Sequence, residues 1–376
     1  MLVKTVCAFP NKLGEKMKEN SNEKKIKILS LNGGGIRGLF TISVLAELEQ
    51  IIEDKSQSSD IRIGNYFDLI TGASIGGILA LALAQGKSAR ELKKIFFDSG
   101  NYIFPKYKFF DKKIKFLKRL IAPLYNSDPL RETIAKMIGE DFQFNDLTRR
   151  VMIPTINLST GRPQFFKTPH NPDFTRDGRL KLIDAAMATS AAPTYFAPHF
   201  WPDLKAYFAD GGLVANNPSF IGLHEVFGDM KSDFPDATHS NIHILNIGTM
   251  GEEYVLSPDT LHNKKKRGYV GLWGSGEKLV HTTMTSNQLL HQYMLNRELN
   301  AKDVAENLVN LDSRVPNEAA NEITLDNSSK SALDYLATRG QQLVTEEYAK
   351  NPSLRNFFLE QALPFKSLEN PIKEGE

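Results

Sequence analysis

Three short segments hold residue types that could together do ester chemistry. Gly72-Ala73-Ser74-Ile75-Gly76 matches GxSxG between a strand pattern, Tyr66–Ile70, and an apolar helix pattern, Ile78–Ala84. That is the setting of a nucleophile elbow: Gly72 and Gly76 let the chain turn sharply, and the helix N-terminus behind Ser74 directs positive potential at a developing anion. The same letters also occur in plain glycine turns. Gly33-Gly34-Gly35-Ile36-Arg37-Gly38 follows a second strand pattern, Ile26–Leu31, and presents backbone N–H groups with no side chains in the way. It reads as an oxyanion hole, as a phosphate cradle, since GxGxxG is also satisfied, or as a structural turn. No Lys-Ser or Lys-Thr follows it, which counts against the cradle.

A serine needs a base, and histidine is the usual one. The chain has eight histidines, yet none falls in a loop after a late strand with an acid at the spacing of an α/β-hydrolase triad. His243 alternates within the strand pattern Ile242–Ile247 and reads as a packed or surface histidine. Asp210 fits better, because it follows the strand Ala206–Ala209 and opens Asp210-Gly211-Gly212 at a strand end, where ligands gather in α/β sheets. A carboxylate with a reference pKa near 3.9 is a weak base, so a closed apolar cleft must raise its basicity. Asp-Gly-Gly is also an ordinary turn sequence.

These segments need a scaffold. Apolar residues at helical spacing over Leu39–Glu53 complete a first strand-turn-helix unit, and the Ser74 segment forms a second, which implies a largely parallel sheet with helices on its faces. Further strands are expected at Val151–Asn157, Gln164–Lys167, Ala206–Ala209 and Ile242–Ile247. Helices are expected at Ala89–Phe97, Pro129–Ile138, Lys181–Met187, Gly274–Arg297 and Lys330–Ala349. A mobile arm over 1–25, one elaborated three-layer α/β/α domain over 26–365 and a polar tail over 366–376 is the expected organisation.

Composition excludes more than it identifies. Of 376 residues, 41% are hydrophobic and 24% charged, so the chain is not mostly disordered. Its 46 basic and 44 acidic residues leave a formal charge of +2, too little for a whole-molecule field that recruits a nucleic acid polymer. Cys7, the single cysteine, excludes an internal disulfide framework and a Cys-rich zinc site and fits a cytoplasmic location. No His, Cys and carboxylate cluster has metal-ligand spacing, so neither a metal nor another cofactor is expected.

The order of glycine turn, GxSxG and Asp-Gly-Gly, with Ala188-Thr189-Ser190-Ala191-Ala192-Pro193-Thr194-Tyr195-Phe196 before the last motif and Asn216-Asn217-Pro218 after it, resembles the patatin-like phospholipase family over roughly residues 26 to 250. The resemblance implies a lipid acyl hydrolase with Ser74 as nucleophile and Asp210 as its dyad partner. It also implies an oxyanion hole at Gly33, Gly34 and Gly35, with Arg37 and Gly38 adjoining. Asn32 stands where plant patatins carry Asp, and Met187 where many members carry Arg. Some bacterial members of about this size serve in anti-phage immunity, degrading membranes when a cyclic nucleotide switches them on. Such a nucleotide, a phospholipid surface and a homo-oligomeric partner are therefore the implied partners. A Ser-His-Asp esterase and a non-catalytic phosphate-binding module are the competing readings.

Two basic stretches fit those partners. Tyr102–Tyr125 interleaves aromatics with Lys106, Lys108, Lys112, Lys113, Lys115, Lys118 and Arg119, which suits an anionic bilayer, a lid over the cleft, or a solvated helix face. Lys264-Lys265-Lys266-Arg267 is either a solvated run or a contact for a phosphate-bearing ligand.

Overall fold

The computed structural model describes residues 24–58, 60–105, 122–251, 258, 262, 268–316, 319 and 322–367. β1 (Ile26–Leu31) leads through a 3-10 turn (Gly35–Arg37) into α1 (Gly38–Ser56). β2 (Leu69–Gly72) leads into α2 (Ile75–Ala84), followed by α3 (Ala89–Ile103) and α4 (Asp128–Ile138). β3 (Arg150–Asn157) and β4 (Arg162–Lys167) form a hairpin, then come α5 (Leu182–Thr189), β5 (His199–Trp201) and β6 (Ala206–Ala209). α6 (Gly212–Ala215), α7 (Ser219–Gly228) and β7 (Ile242–Ile247) follow. α8 (Tyr269–Trp273), α9 (Glu277–Ala301), β8 (Leu308–Leu311), α10 (Lys330–Lys350) and α11 (Pro352–Asn356) complete the order.

The strands form one sheet in the order β5-β6-β3-β2-β1-β7-β8, with β4 pairing β3 off that path. Pairing is parallel from β3 through β8 and antiparallel where β3 meets β4 and β6 and where β5 meets β6. Alternate residues of the central strands divide the interior into two cores. Leu29, Leu31, Ile70, Leu245 and Ile247 face the side covered by α1, α2, α3, α5 and α10, where Phe40, Leu48, Leu79, Phe96 and Leu336 pack. Ile26, Ile28, Leu69, Ile242 and Ile244 face α7 and α9, against Leu223, Val226, Leu295 and Leu299. The architecture is therefore three layers, α/β/α, with a mostly parallel sheet.

Several elements differ from the sequence reading. Tyr66 closes a 3-10 turn and β2 begins only at Leu69, because the rings of Tyr66 and Phe67 turn aside to pack on Phe357 and Phe358. The long helix expected over Gly274–Arg297 is present as α9 but starts at Glu277, since Gly274 and Gly276 take φ of +63° and +96° and set it off from the short α8 before it. β5, β8 and α7 were not expected. The two strands have only three and four residues, too few to show a period, and α7 starts directly at the end of the Asn-Asn-Pro turn.

Candidate active site

The sheet brings Ser74 and Asp210 together. A strand has two hydrogen-bonding edges, and β4 occupies one edge of β3 over Met152–Asn157. β2 and β6 must share the other. β2 runs parallel to β3 over Arg150–Met152, and β6 runs antiparallel to it over Ile156–Asn157, so the two carboxyl ends advance toward each other at Pro154. Ser74 lies two residues past one end and Asp210 one residue past the other. The Ser74 hydroxyl donates to Asp210 Oδ2 at 2.7 Å.

Each turn is shaped by close approach. Ser74 has φ +54°, a strained conformation for a residue with a side chain. A Cβ at Gly72 would lie 2.1 Å from the Gly76 carbonyl oxygen, and one at Gly76 would lie 2.3 Å from that of Leu31, so neither position admits a larger residue without moving backbone. The end of α5 clamps the two turns together: Thr189 Oγ1 accepts the Ser74 N–H at 3.1 Å and donates to the Pro154 carbonyl at 2.7 Å. The carbonyls of Thr189 and Ala191 accept the N–H groups of Gly211 and Asp210. This positioning role of the Ala188–Phe196 block was invisible in the sequence, although the block itself stood out.

Asp210 is completely buried, and burial pushes its carboxyl up to about 7. The hydrogen bonds from the Ser74 hydroxyl and from Gly212 N–H, the latter 2.6 Å from Oδ1, pull the other way but do not outweigh burial, and no cation is among the groups acting on it. Among the described residues no histidine hydrogen-bonds to either member of the pair. His170 pairs with Glu225 and His199 with Asp184, while His224 and His239 both face Glu298. His243 and His281 are pushed down to about 4 by burial, aided by the nearby Lys25 and Lys27 for the first and by Arg37 for the second.

The backbone donors are a narrower set than the glycine turn suggested. Gly33 N–H is spent on the Asn216 carbonyl, Arg37 N–H on Gly34, and Gly38 N–H on Gly35 and Ile36. Among the described residues Gly34, Gly35 and Ile75 keep amides with no protein acceptor. The Ile75 amide, directly after the serine at the α2 N-terminus, was missed in the sequence. The elbow geometry was its available signal. Gly35, Ser74 and Ile75 line one narrow cleft, with about 40 Å³ of free space, whose other walls are apolar, among them Ile78, Phe96, Phe104, Leu130 and Met284. Those walls suit an acyl chain with its carbonyl beside Ser74 and the Gly35 and Ile75 amides, provided the lining side chains move aside to admit it. Most of the basic aromatic stretch, 106–121, and the run Lys264–Arg267 lie outside the described residues.

A sheet whose strand ends carry a strained serine turn and a buried carboxylate defines an α/β protein with its site at the carboxyl edge of the sheet. The chain belongs to the patatin-like phospholipase family, whose model matches residues 29–221. It is 62% identical to a cGAMP-activated phospholipase of Escherichia coli (strain TW11681), over 92% of this chain and 96% of that one. A cGAMP-activated phospholipase of Vibrio cholerae is 61% identical over 92% and 97%. A more distant relative, patatin-like protein 2 of Arabidopsis thaliana, is 28% identical over 86% and 84%.

Proposed function

We propose that this protein hydrolyses acyl esters of glycerophospholipids with Ser74 and Asp210, and that cGAMP switches the activity on. The observation that carries the chemistry is the 2.7 Å hydrogen bond from the serine to a fully buried carboxylate whose pKa is raised to about 7. Such a group is a far stronger base than an ordinary aspartate and can still return its proton near neutrality. As Ser74 Oγ attacks the ester carbonyl, its proton passes to Asp210 Oδ2. The Gly35 and Ile75 amides, which share the cleft with Ser74, are the donors at hand for the oxyanion, at roughly 3 to 4 kcal/mol per well-placed donor. Collapse expels the alcohol, which takes the proton from Asp210, and leaves an acyl-serine. Asp210 then accepts a proton from water as it attacks the acyl carbonyl, and returns that proton to Ser74 Oγ as the acyl bond breaks and the fatty acid leaves, which restores the resting pair. Every step uses residues of the chain.

The regulatory half rests on the relatives at 62% and 61% identity, both named as cGAMP-activated and both matched over nearly their whole length. Activation by a nucleotide fits an effector that degrades membranes during anti-phage defence. Contact with the bilayer is taken to be peripheral, since among the described residues no helix is long and apolar enough to cross a membrane. Assembly into a homo-oligomer belongs to the same proposal.

Fatty-acid release from phospholipid vesicles, with and without cGAMP, tests both halves. The wild-type protein should respond to the nucleotide, Ser74→Ala should lose about 10³-fold or more of the rate, and a fluorophosphonate probe should label Ser74 alone. Activity retained in the alanine variant would remove Ser74 from the mechanism. Full activity without nucleotide would remove the switch.

A further inference from the structure

Beside the apolar cleft lies a second, more polar compartment with about 260 Å³ of free space. Met284 and Leu325 line both spaces and so form the partition between them, while the glycine turn contributes Gly35 to the cleft and Gly33 and Gly34 to the compartment. We propose that this compartment binds a phosphodiester, delivered either by the headgroup of the lipid being cleaved or by the activating nucleotide. The inference rests on the proposed reading in one respect only, that these are the two phosphodiesters the protein meets.

Charge is the first support. Arg37, Arg314 and Asp312 line the compartment, a formal balance of +1 against the single negative charge of a phosphodiester. His281 also lines it but, held near 4 by burial, is neutral at pH 7 and adds no charge. Asp312 is anchored to the backbone, its Oδ1 accepting N–H from Met250 and Ser313. Among the described residues no carboxylate lies within salt-bridge distance of Arg314, whose guanidinium is exposed at the compartment. A bidentate guanidinium suits two phosphate oxygens.

Unmet hydrogen bonding is the second. The Gly34 amide on the compartment wall is a donor without a protein acceptor among the described residues. Asn216, only 4% exposed, lines the same wall with its Nδ2 held by the Gly33 carbonyl and by Gln288. A phosphodiester oxygen would accept from the Gly34 amide, whether it belongs to a polar lipid headgroup or to a cyclic dinucleotide. The adjacency has a purpose in the lipid case: an acyl chain on the Ser74 side and a charged headgroup across Met284 match the two ends of one amphiphile.

Arg314→Ala separates the sources. In the lipid arm, the probes are dihexanoyl-phosphatidylglycerol below its micellar concentration and dihexanoylglycerol, which lacks the phosphate. The ratio of their kcat/KM values should fall at least tenfold in the variant, and Arg314→Lys should restore part of it. In the nucleotide arm, with dihexanoylglycerol as substrate, the cGAMP concentration for half activation should rise at least tenfold. Movement of the first names the headgroup, movement of the second names the nucleotide, and movement of both means the two share the compartment. If neither moves while the thermal midpoint is unchanged, the proposal is overturned. Calorimetric titration of cGAMP and of dihexanoyl-phosphatidylglycerol into Ser74→Ala, with and without Arg314→Ala, reads the compartment without turnover. Its failure is therefore distinct from a failure of the Ser74–Asp210 mechanism.

Discussion

Two buried carboxylates in this molecule meet opposite surroundings. Glu225, on α7, receives Lys167 Nζ at 2.6 Å and His170 Nε2 at 2.9 Å, and the same lysine reaches Asp229 at 2.8 Å. Burial pushes the Asp229 carboxyl up, but the hydrogen bond and charge of Lys167 outweigh it and hold it below the ordinary value. Asp210 has a hydroxyl and a peptide N–H instead, and its carboxyl rises to about 7. One cluster pins β4 to α7. The other leaves without a cation the carboxylate proposed above as the base. Burial is common to both, so the difference between them is the cation.

That contrast predicts a crossing of effects. Asp210→Asn should lower kcat/KM on phospholipid by about 10³-fold or more, the largest change expected in either region. It should also stabilise the protein above neutral pH. A carboxyl raised from 3.8 to about 7 by folding contributes stability that is complete below pH 4 and lost as pH rises through 7, because the buried group resists ionising while the unfolded chain ionises freely. Removing it lifts a penalty on the order of a few kcal/mol at pH 8 and almost none near pH 4. Thermal unfolding of parent and variant at pH 5 and pH 8 checks this, and kcat/KM of the parent should fall as pH drops below about 7. A higher midpoint for the parent at pH 8 would mean that Asp210 is held by a cation after all.

Lys167→Met should do the reverse. It leaves Glu225 and Asp229 without their shared cation, which costs about 3 kcal/mol by chemical denaturation while the folded variant keeps kcat/KM within about twofold. An equal loss in activity would tie the two regions together. The smallest effect sharpens the boundary of the reactive site: Thr189→Val removes the acceptor for Ser74 N–H and the donor to Pro154. A loss of about 1 kcal/mol of positioning, or five- to tenfold in kcat with KM little changed, is expected from steady-state kinetics on a soluble ester.

Much of this was legible in the sequence, because the decisive residues lie in short local patterns. GxSxG between a strand and a helix, and an aspartate at the end of a strand before two glycines, are signals carried by adjacent residues. The strand-turn-helix repeats gave the layered sheet for the same reason. What stayed hidden was made by distant parts of the chain. Asp210 looked like any Asp-Gly-Gly turn until Thr189 and Ala191 were seen to hold it, and its basicity depends on burial that no local window reports. The free amide of Ile75 emerged only once Gly33, Arg37 and Gly38 were found to be occupied. The polar compartment depends on residues of α9 lying beside the glycine turn, and although the helix itself was legible, no local pattern says which turn it packs against.

The shared edge of β3 bears on how the chain is made. Ser74 and Asp210 are 136 positions apart in sequence, and each owes its place to a different strand laid against the same few residues around Pro154. Closing so long a loop is slow compared with forming local turns and helices. A partly folded chain with its serine elbow built but β6 undocked would therefore lack the Ser74–Asp210 contact. If Ser74 and Asp210 act as proposed, the hydrolytic pair exists only once β6 has docked on β3, so activity is tied to completion of the sheet.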